Sequence, residues 1–78
     1  MNKGIVKSFG KLAITIEDNE KRQYYAPFED VDKYVLEQLT YPLPALPIKF
    51  NVNKEKFSDY SRKVPRYYAY NVKLDLDF

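Results

Sequence analysis

The sequence predicts a single, mainly β domain: a five-stranded antiparallel Greek-key barrel with one short helix between the third and fourth strands. Residues 11–17 alternate apolar and polar side chains, which is the pattern of a half-buried strand. The spacing becomes helical in residues 30–40, and alternation returns in residues 48–52 and 67–74. A chain of 78 residues has room for one such domain.

The first two strands are predicted as a hairpin. Residues 5–9 have the mixed polarity of a strand, and Gly10 allows a tight turn after them. In the second strand we expect the apolar side chains, Leu12 included, to share one face, because alternate side chains of a strand point the same way. The polar residues 18–20 have the composition of a hairpin turn and lead into a third strand.

Residues 22–28 form the predicted third strand and contain three aromatic side chains. Tyr24 and Ala26 are expected on one face of the sheet, and Tyr25 and Pro27 on the other. One hypothesis is that exposed rings beside Lys and Arg form a surface that stacks flat ligands. The alternative is that the rings fill the core of a small, tyrosine-rich protein. The functional prediction depends on this choice, because the sequence carries no catalytic signature.

The helix and the connector after it are predicted from a change of pattern. Residues 30–40 favour a helix of about two to three turns, with Asp30 as its N-terminal cap. Residues 41–47 contain three prolines, which exclude a helix and favour an extended path. We interpret this segment as a rigid connector whose leucines cover one end of the core. A docking motif for a proline-binding partner is the alternative.

Two further strands follow the connector. Residues 48–52 alternate, and Pro47 is acceptable at the first position of a strand. Residues 53–66 are predicted to be a long polar loop, and residues 67–74 the fifth strand. Its expected faces are Tyr68, Tyr70, Val72 and Leu74 on one side and Ala69, Asn71 and Lys73 on the other. Five strands with a helix between the third and fourth match the OB-fold, whose closure removes exposed sheet edges.

The composition excludes several chemistries. The chain has no Cys and no His, which excludes disulfides, thiolate chemistry, imidazole catalysis and the usual zinc sites. Carboxylate pairs at residues 17–18 and 29–30 fall at a turn and before a helix, and two glycines form no phosphate-binding loop. We therefore expect a binding protein without a cofactor or metal, not an enzyme. We also expect a cytoplasmic protein, since no long apolar run or signal-peptide pattern is present.

Positive charge is concentrated in two segments. Residues 1–16 contain three lysines and no acidic residue, and residues 49–73 contain seven basic residues against two acidic ones. The net charge of +2 hides this pattern, because residues 17–37 carry an excess of acidic side chains. If the fold joins the two basic segments, they form one positive surface suited to a polyanion. The alternative is a set of separate solvated faces.

Three segments resemble the bacterial cold-shock domain. Residues 4–9, Gly-Ile-Val-Lys-Ser-Phe, are similar to its opening strand, Gly-x-Val-Lys-Trp-Phe. Residues 24–28, Tyr-Tyr-Ala-Pro-Phe, resemble its second nucleic-acid-binding motif, Val-Phe-Val-His-Phe, and residues 69–74, Ala-Tyr-Asn-Val-Lys-Leu, resemble its closing strand, Ala-Ala-Asn-Val-Arg-Leu. The resemblance spans nearly the whole chain. It implies an OB-fold that binds single-stranded RNA or DNA by stacking bases on strand aromatics over a basic face.

The chain departs from this family in its stacking residues. Ser8 stands at the position of a stacking Trp, and Ala13 and Thr15 stand at the positions of two stacking Phe residues. Only Tyr25 and Phe28 keep aromatic character in the second motif. Stacking contributes about 1–3 kcal/mol per base, so the resemblance implies either weak binding or rings supplied from elsewhere.

Residues 53–66 are the predicted source of replacement rings. They interleave aromatic and basic side chains, and the loop between the last two strands flanks the binding face of an OB-fold. A solvated loop whose aromatics fold back on the barrel is the alternative. The predicted nucleic-acid-binding residues are Lys7, Lys11, Tyr25, Phe28, Lys54, Lys56, Phe57, Tyr60, Arg62, Lys63, Arg66 and Lys73.

Two functions are compatible with these observations. The first is a small protein that binds single-stranded RNA or DNA with low sequence specificity. The second is a protein-interaction module that kept the barrel and lost nucleic-acid binding. Ala13 and Thr15 flatten one sheet face, and the alternating tail at residues 74–78 would extend the last strand and pair with another edge, including that of a second copy.

Overall fold

A ring of strands forms the barrel in the computed structural model, which describes residues 2–58 and 66–75 and, among these, all side chains except those of 56–58. The strands are β1 (Asn2–Phe9), β2 (Ala13–Asp18), β3 (Gln23–Pro27), β4 (Pro47–Ser58) and β5 (Arg66–Leu74). Between β3 and β4 lie a 3-10 turn (Phe28–Asp30) and a short helix, α1 (Lys33–Leu36). The predicted succession of three strands, a helix and two strands is confirmed.

The closed ring runs in the order β1-β2-β3-β5-β4, and β4 pairs back with β1. Neighbours are antiparallel except for β3 and β5, which pair in parallel. The prediction of an entirely antiparallel barrel is therefore wrong, and the sheet is mixed. The reason is geometric: directions cannot alternate all the way around a ring with an odd number of strands.

Alternation along β2 and β3 builds much of the core. Ile14 and Ile16 on β2, and Tyr24 and Ala26 on β3, are buried as their spacing predicts. The other buried apolar side chains are Val6, Val31, Val35, Ile48, Phe50, Ala69 and Val72. The expectation that Leu12 shares the face of Ile14 is wrong, since its side chain is 78% exposed. Leu12 precedes β2, in a turn where strand alternation has not yet begun.

A bulge near the end of β5 changes which side chains face the core. Ala69 and Val72 are predicted on opposite faces, but each is only 1% exposed. Asn71 adopts a positive φ of 54°, and the register with β4 shifts between Lys49 and Asn51. Asn tolerates this left-handed conformation better than most residues do. The alternation predicted for β5 therefore fails at the bulge.

The helix is shorter than the predicted range of residues 30–40. Val31 forms a parallel bridge with Val72 of β5, and the Asp32 amide donates a hydrogen bond of 2.8 Å to the Val72 carbonyl. These contacts keep the chain extended until α1 begins. The cap is Asp32 rather than Asp30, because the Asp32 carboxylate accepts a hydrogen bond of 3.3 Å from a first-turn amide.

The proline-containing connector packs along the end of the barrel. Leu43 and Leu46 contact the core, which confirms the predicted covering role of the leucines. The Tyr41 ring stacks on Phe9, with centroids 4.6 Å apart and planes inclined by 12°. The Tyr41 hydroxyl also donates a hydrogen bond of 3.1 Å to the Phe9 carbonyl. The connector is thereby fixed to the end of β1.

The polar loop predicted at residues 53–66 is partly strand. β4 continues to Ser58, which pairs with Arg66 at the start of β5. The register shifts between Asn53 and Phe57, so the extension of β4 is irregular. The start of β5 thus lies beside the end of β4, and β5 also pairs with β3 through Tyr67 and Tyr68.

Candidate nucleic-acid interface

A row of side chains crosses the outer surface of the barrel at the level of Tyr25. Ser8 of β1 pairs with Thr15 of β2, Thr15 pairs with Tyr25 of β3, and Tyr25 pairs with Tyr68 of β5. Directly paired residues place their side chains on the same face of a sheet. We call the outer surface around this row the Tyr25 wall; its members are Lys11, Leu12, Ala13, Thr15, Tyr25, Pro27, Phe28, Arg66 and Tyr68.

Tyr25 is half-buried between an aromatic and a cationic neighbour. Its ring centroid lies 4.9 Å from that of Tyr68, with the planes inclined by 59°. The Arg66 guanidinium carbon lies 5.5 Å from the Tyr25 centroid, within the range of a cation–π contact. Arg66 Nη1 donates a hydrogen bond of 2.8 Å to Thr15 Oγ1, and Arg66 as a whole is 8% exposed. The positive charge is therefore held against the ring in a defined position.

Two open hollows flank the Tyr25 ring. The first, which we call the aromatic hollow, has a volume of about 450 Å³ and is lined by Leu12, Tyr25, Pro27, Phe28, Glu29 and Tyr68. The second, the cationic hollow, has a volume of about 320 Å³ and is lined by Gly10, Lys11, Leu12, Ala13, Thr15, Tyr25 and Arg66. Both hollows are open to solvent. The Tyr25 ring thus lies between an aromatic recess that also contains the Glu29 carboxylate and a recess that contains two cationic side chains, Lys11 and Arg66.

Four of the predicted binding residues lie together on this wall. They are Lys11, Tyr25, Phe28 and Arg66. The prediction that Tyr25 and Pro27 face away from the buried Tyr24 and Ala26 is confirmed by the alternating burial of β3. Phe28 lies at the boundary between surface and core, because its side chain lines the aromatic hollow and also packs against the core.

Five side chains of the wall were not predicted as binding residues: Leu12, Ala13, Thr15, Pro27 and Tyr68. Leu12 and Tyr68 line the aromatic hollow, and Thr15 holds the Arg66 guanidinium. The high tyrosine content of the fifth strand could have indicated Tyr68 as a candidate. The pairing of Tyr68 with Tyr25, however, depends on the parallel contact between β3 and β5. No local sequence pattern predicts that contact, because the two strands are far apart in the chain.

Three predicted binding residues line other parts of the barrel surface. Lys7 Nζ lies 3.3 Å from a carboxylate oxygen of Glu17 on the neighbouring strand. Lys54 lines a cavity of about 600 Å³ beside Tyr67. Lys73 lines a groove that also contains Glu29, Asp30 and Asp32. Among the basic side chains that the structure describes, Lys11 and Arg66 line a hollow beside Tyr25, whereas Lys7, Lys54 and Lys73 do not.

The remaining predictions concern the hairpin between β4 and β5. Tyr60, Arg62 and Lys63 lie outside the described residues. Lys56 and Phe57 belong to β4, but their side chains lie outside the described part of the chain. Whether this hairpin supplies replacement rings stays a prediction.

The turn between β2 and β3 is organised by the Asp18 carboxylate. This side chain is 9% exposed and accepts hydrogen bonds from the Tyr24 hydroxyl at 2.8 Å and from Arg22 Nε at 2.9 Å. The backbone amides of Glu20 and Arg22 each donate to it at 2.9 Å. These bonds anchor Tyr24 inside the barrel, so the next residue, Tyr25, points outward.

The same contacts shift the pKa values of Asp18 and Tyr24. Desolvation of Asp18 raises its pKa, but the hydrogen bonds from Arg22, Tyr24 and Glu20 outweigh desolvation and leave the pKa below its usual value. Burial, followed by the hydrogen bond and negative charge of Asp18, raises the pKa of the Tyr24 hydroxyl. Asp18 therefore stabilises the turn in its ionised form, and Tyr24 contributes its hydrogen bond as a neutral phenol.

Comparisons with protein-family models, with curated proteins and with solved structures find no match to this chain. Within residues 2–58 and 66–75, no helix has the length and apolarity needed to cross a membrane. The same residues contain no group of three or more His, Cys, Asp or Glu side chains placed to hold a metal ion. Function is therefore inferred from the geometry and chemistry of the Tyr25 wall.

Proposed function

We propose that this chain is an OB-fold protein, similar to cold-shock domains, that binds single-stranded RNA or DNA on the Tyr25 wall with low sequence specificity. The observation that carries the proposal is the arrangement of the Tyr25 ring between Tyr68 and Arg66, with an open hollow on either side. Aromatic rings that stack bases, next to cations that attract phosphates, are what single-strand binding requires.

The barrel topology supports the OB-fold part of the proposal. Five strands close in the order β1-β2-β3-β5-β4, with a short helix between β3 and β4. OB-folds are five-stranded Greek-key barrels that bind oligonucleotides on the face of strands 2 and 3 and on the adjoining loops. The Tyr25 wall is built mainly on β2 and β3, and it includes Tyr25 and Phe28 from the segment that resembles the second cold-shock motif.

The small residues on β2 give the wall a particular shape. Ala13 and Thr15 stand where the cold-shock family has stacking rings, and here they line the cationic hollow beside Tyr25. A base that stacks on Tyr25 from this side enters a recess that larger side chains would fill. Arg66 and the exposed Lys11 border the same recess, where they attract the phosphates of the strand.

The experiment is a fluorescence-anisotropy titration of labelled oligothymidylate and oligouridylate at two salt concentrations. We expect binding that weakens steeply as salt rises, because phosphate contacts release counterions. The absence of binding to both oligonucleotides at low salt would rule out the proposal. Binding that is insensitive to salt would contradict the role of Lys11 and Arg66.

One observation favours a protein partner as the second candidate. Leu12 is 78% exposed next to Phe28 and Tyr68, and this apolar surface suits a protein contact. In this case the wall would bind a folded or extended partner, and oligonucleotides would bind weakly or not at all. The titration distinguishes the two candidates, and Leu12→Ser would then reduce partner binding.

A further inference from the structure

Three lysines form a row on the outer surface of strands β1, β4 and β5. Lys3 of β1 pairs directly with Lys49 of β4, and Lys49 pairs directly with Lys73 of β5. The neighbours of Lys49 along the strand, Ile48 and Phe50, are fully buried, so Lys49 points outward. We call Lys3, Lys49 and Lys73 the lysine row. It joins the two basic segments of the sequence in one place on the barrel.

The row is unfavourable for the folded chain by itself. Directly paired side chains have Cβ atoms about 4.5–5.5 Å apart, and like charges at such positions destabilise a sheet. Lys49 has a lysine on both sides. Asp75 offsets part of the charge, because its carboxylate lies 3.4 Å from Lys3 Nζ. In the described part of the chain the three lysines outnumber the one carboxylate that forms an ion pair with the row, and an anionic ligand would relieve the repulsion between them.

The lysine row is separate from the Tyr25 wall. On β5, Lys73 lies five residues beyond Tyr68, which corresponds to roughly 15 Å along a strand. The row also uses β1 and β4, whereas the hollows around Tyr25 are built mainly on β2 and β3. On one side the row is bordered by acidic residues, since the groove next to Lys73 contains Glu29, Asp30 and Asp32. The hollow beside Lys3 also contains Asp18 and Glu20, so acidic residues border both ends of the row.

We propose that the lysine row is a second nucleic-acid contact, which binds the phosphate backbone without reading bases. The proposal rests on the proposed function, because it assigns the flank of the same bound strand to the row. Lysine ammonium groups are compact point charges that suit phosphate oxygens. A strand that spans both surfaces has a larger site size, and its affinity depends more steeply on salt.

The test compares Lys49→Gln with Lys33→Gln, an equal charge change on the exposed side of α1. Binding is measured with oligothymidylates of about four and about sixteen nucleotides, the range of site sizes of single OB-folds. We expect Lys49→Gln to weaken binding of the longer strand and to lower its salt slope by about 0.7, the value of one single-strand phosphate contact. The shorter strand should bind equally to both variants.

A second arm uses inorganic polyphosphate, which has phosphates but no bases. We expect it to bind wild-type protein and Tyr25→Ala alike, and Lys49→Gln more weakly. Lys73→Gln, at an exposed position, repeats the comparison should Lys49→Gln lower the melting temperature. Polyglutamate is the competitor: if it displaces polyphosphate from the row at equal charge concentration, the row accepts acidic protein and the proposal is overturned.

The two proposals fail in different ways. If Tyr25→Ala weakens oligonucleotide binding while Lys49→Gln and Lys33→Gln behave alike, the row has no role and the Tyr25 wall keeps its function. If no oligonucleotide binds at all, the proposed function fails, and the row is overturned with it as a nucleic-acid contact.

Discussion

Arg66 and Thr15 are joined by a hydrogen bond of 2.8 Å between two strands that are not neighbours in the barrel. Thr15 lies on β2 and Arg66 at the start of β5, with β3 between them. The guanidinium therefore reaches across β3, where it lies 5.5 Å from the centroid of the Tyr25 ring. A cation held between a hydroxyl group and a ring loses little further freedom when a ligand binds, so the wall is preorganised.

Replacing Thr15 tests this hydrogen bond. Thr15→Val keeps the shape of the side chain but removes the acceptor, and we expect the free energy of unfolding to fall by about 1–3 kcal/mol, as for a bond to a charged group. Thr15→Ser keeps the hydroxyl and is the control. Urea denaturation measures both variants, and equal stability of the two would mean that the bond contributes little.

Removing the Tyr25 ring tests the stacking role. We expect Tyr25→Ala to weaken binding of single-stranded oligonucleotides by about 1–3 kcal/mol, the usual contribution of one stacked base. The matched control is Tyr34→Ala, because Tyr34 is an exposed tyrosine on α1, away from the wall. Isothermal titration calorimetry measures both affinities. An equal loss in the two variants would argue against a specific platform at Tyr25.

The substitution Gly4→Ala tests how closely the backbones of β1 and β2 approach each other. A Cβ atom on Gly4 would lie 2.6 Å from the carbonyl oxygen of Glu17, and a backbone atom cannot move aside without shifting the strand. We expect Gly4→Ala to destabilise the protein by about 1–3 kcal/mol, as other overpacked substitutions do. Gly10→Ala is the control, since a Cβ there meets no atom within 4 Å. Thermal unfolding should therefore separate the two alanine variants clearly.

The Asp18 carboxylate makes stability depend on pH in the acidic range. Because its pKa is lowered in the folded state, the unfolded chain binds a proton more readily, and stability falls as the pH drops below the ordinary value of 3.8 toward the folded pKa. Asp18→Asn should be less stable at neutral pH, and the difference from wild type should shrink on acidification. Denaturation curves at neutral and acidic pH measure that difference; a constant gap would exclude this linkage.

The local patterns of the sequence predicted the five strands and the helix in their correct order, but not all of their bounds. The alternation in β2 correctly placed Ile14 and Ile16 on one face, and the alternation in β3 correctly placed Tyr24 and Tyr25 on opposite faces. Errors arose where a distant contact overrides the local pattern. Val31 is held extended by Val72, which shortens the helix, and the Asn71 bulge turns Val72 inward.

The candidate site was only partly predictable, because its members come from different parts of the chain. Lys11, Tyr25, Phe28 and Arg66 belong to the predicted set, and they do lie together. Tyr68 and the anchoring role of Thr15 emerge only from strand pairing. Three other predicted residues lie elsewhere on the barrel: Lys7, Lys54 and Lys73. The position of a basic residue in the sequence does not predict which part of the barrel surface its side chain occupies.

The sequence by itself determined the five strands, the placement of Tyr24 and Tyr25 on opposite faces of β3, and the lack of Cys and His chemistry. These properties depend on side-chain identity and on a period of two residues, which are local quantities. Only the tertiary structure decided that β3 and β5 run in parallel, that Arg66 spans β3 to reach Thr15, and that Lys3, Lys49 and Lys73 share one row. Closure of a ring with an odd number of strands requires a parallel pair, and the register between distant strands sets the other two relationships. Closure and register are properties of the whole chain.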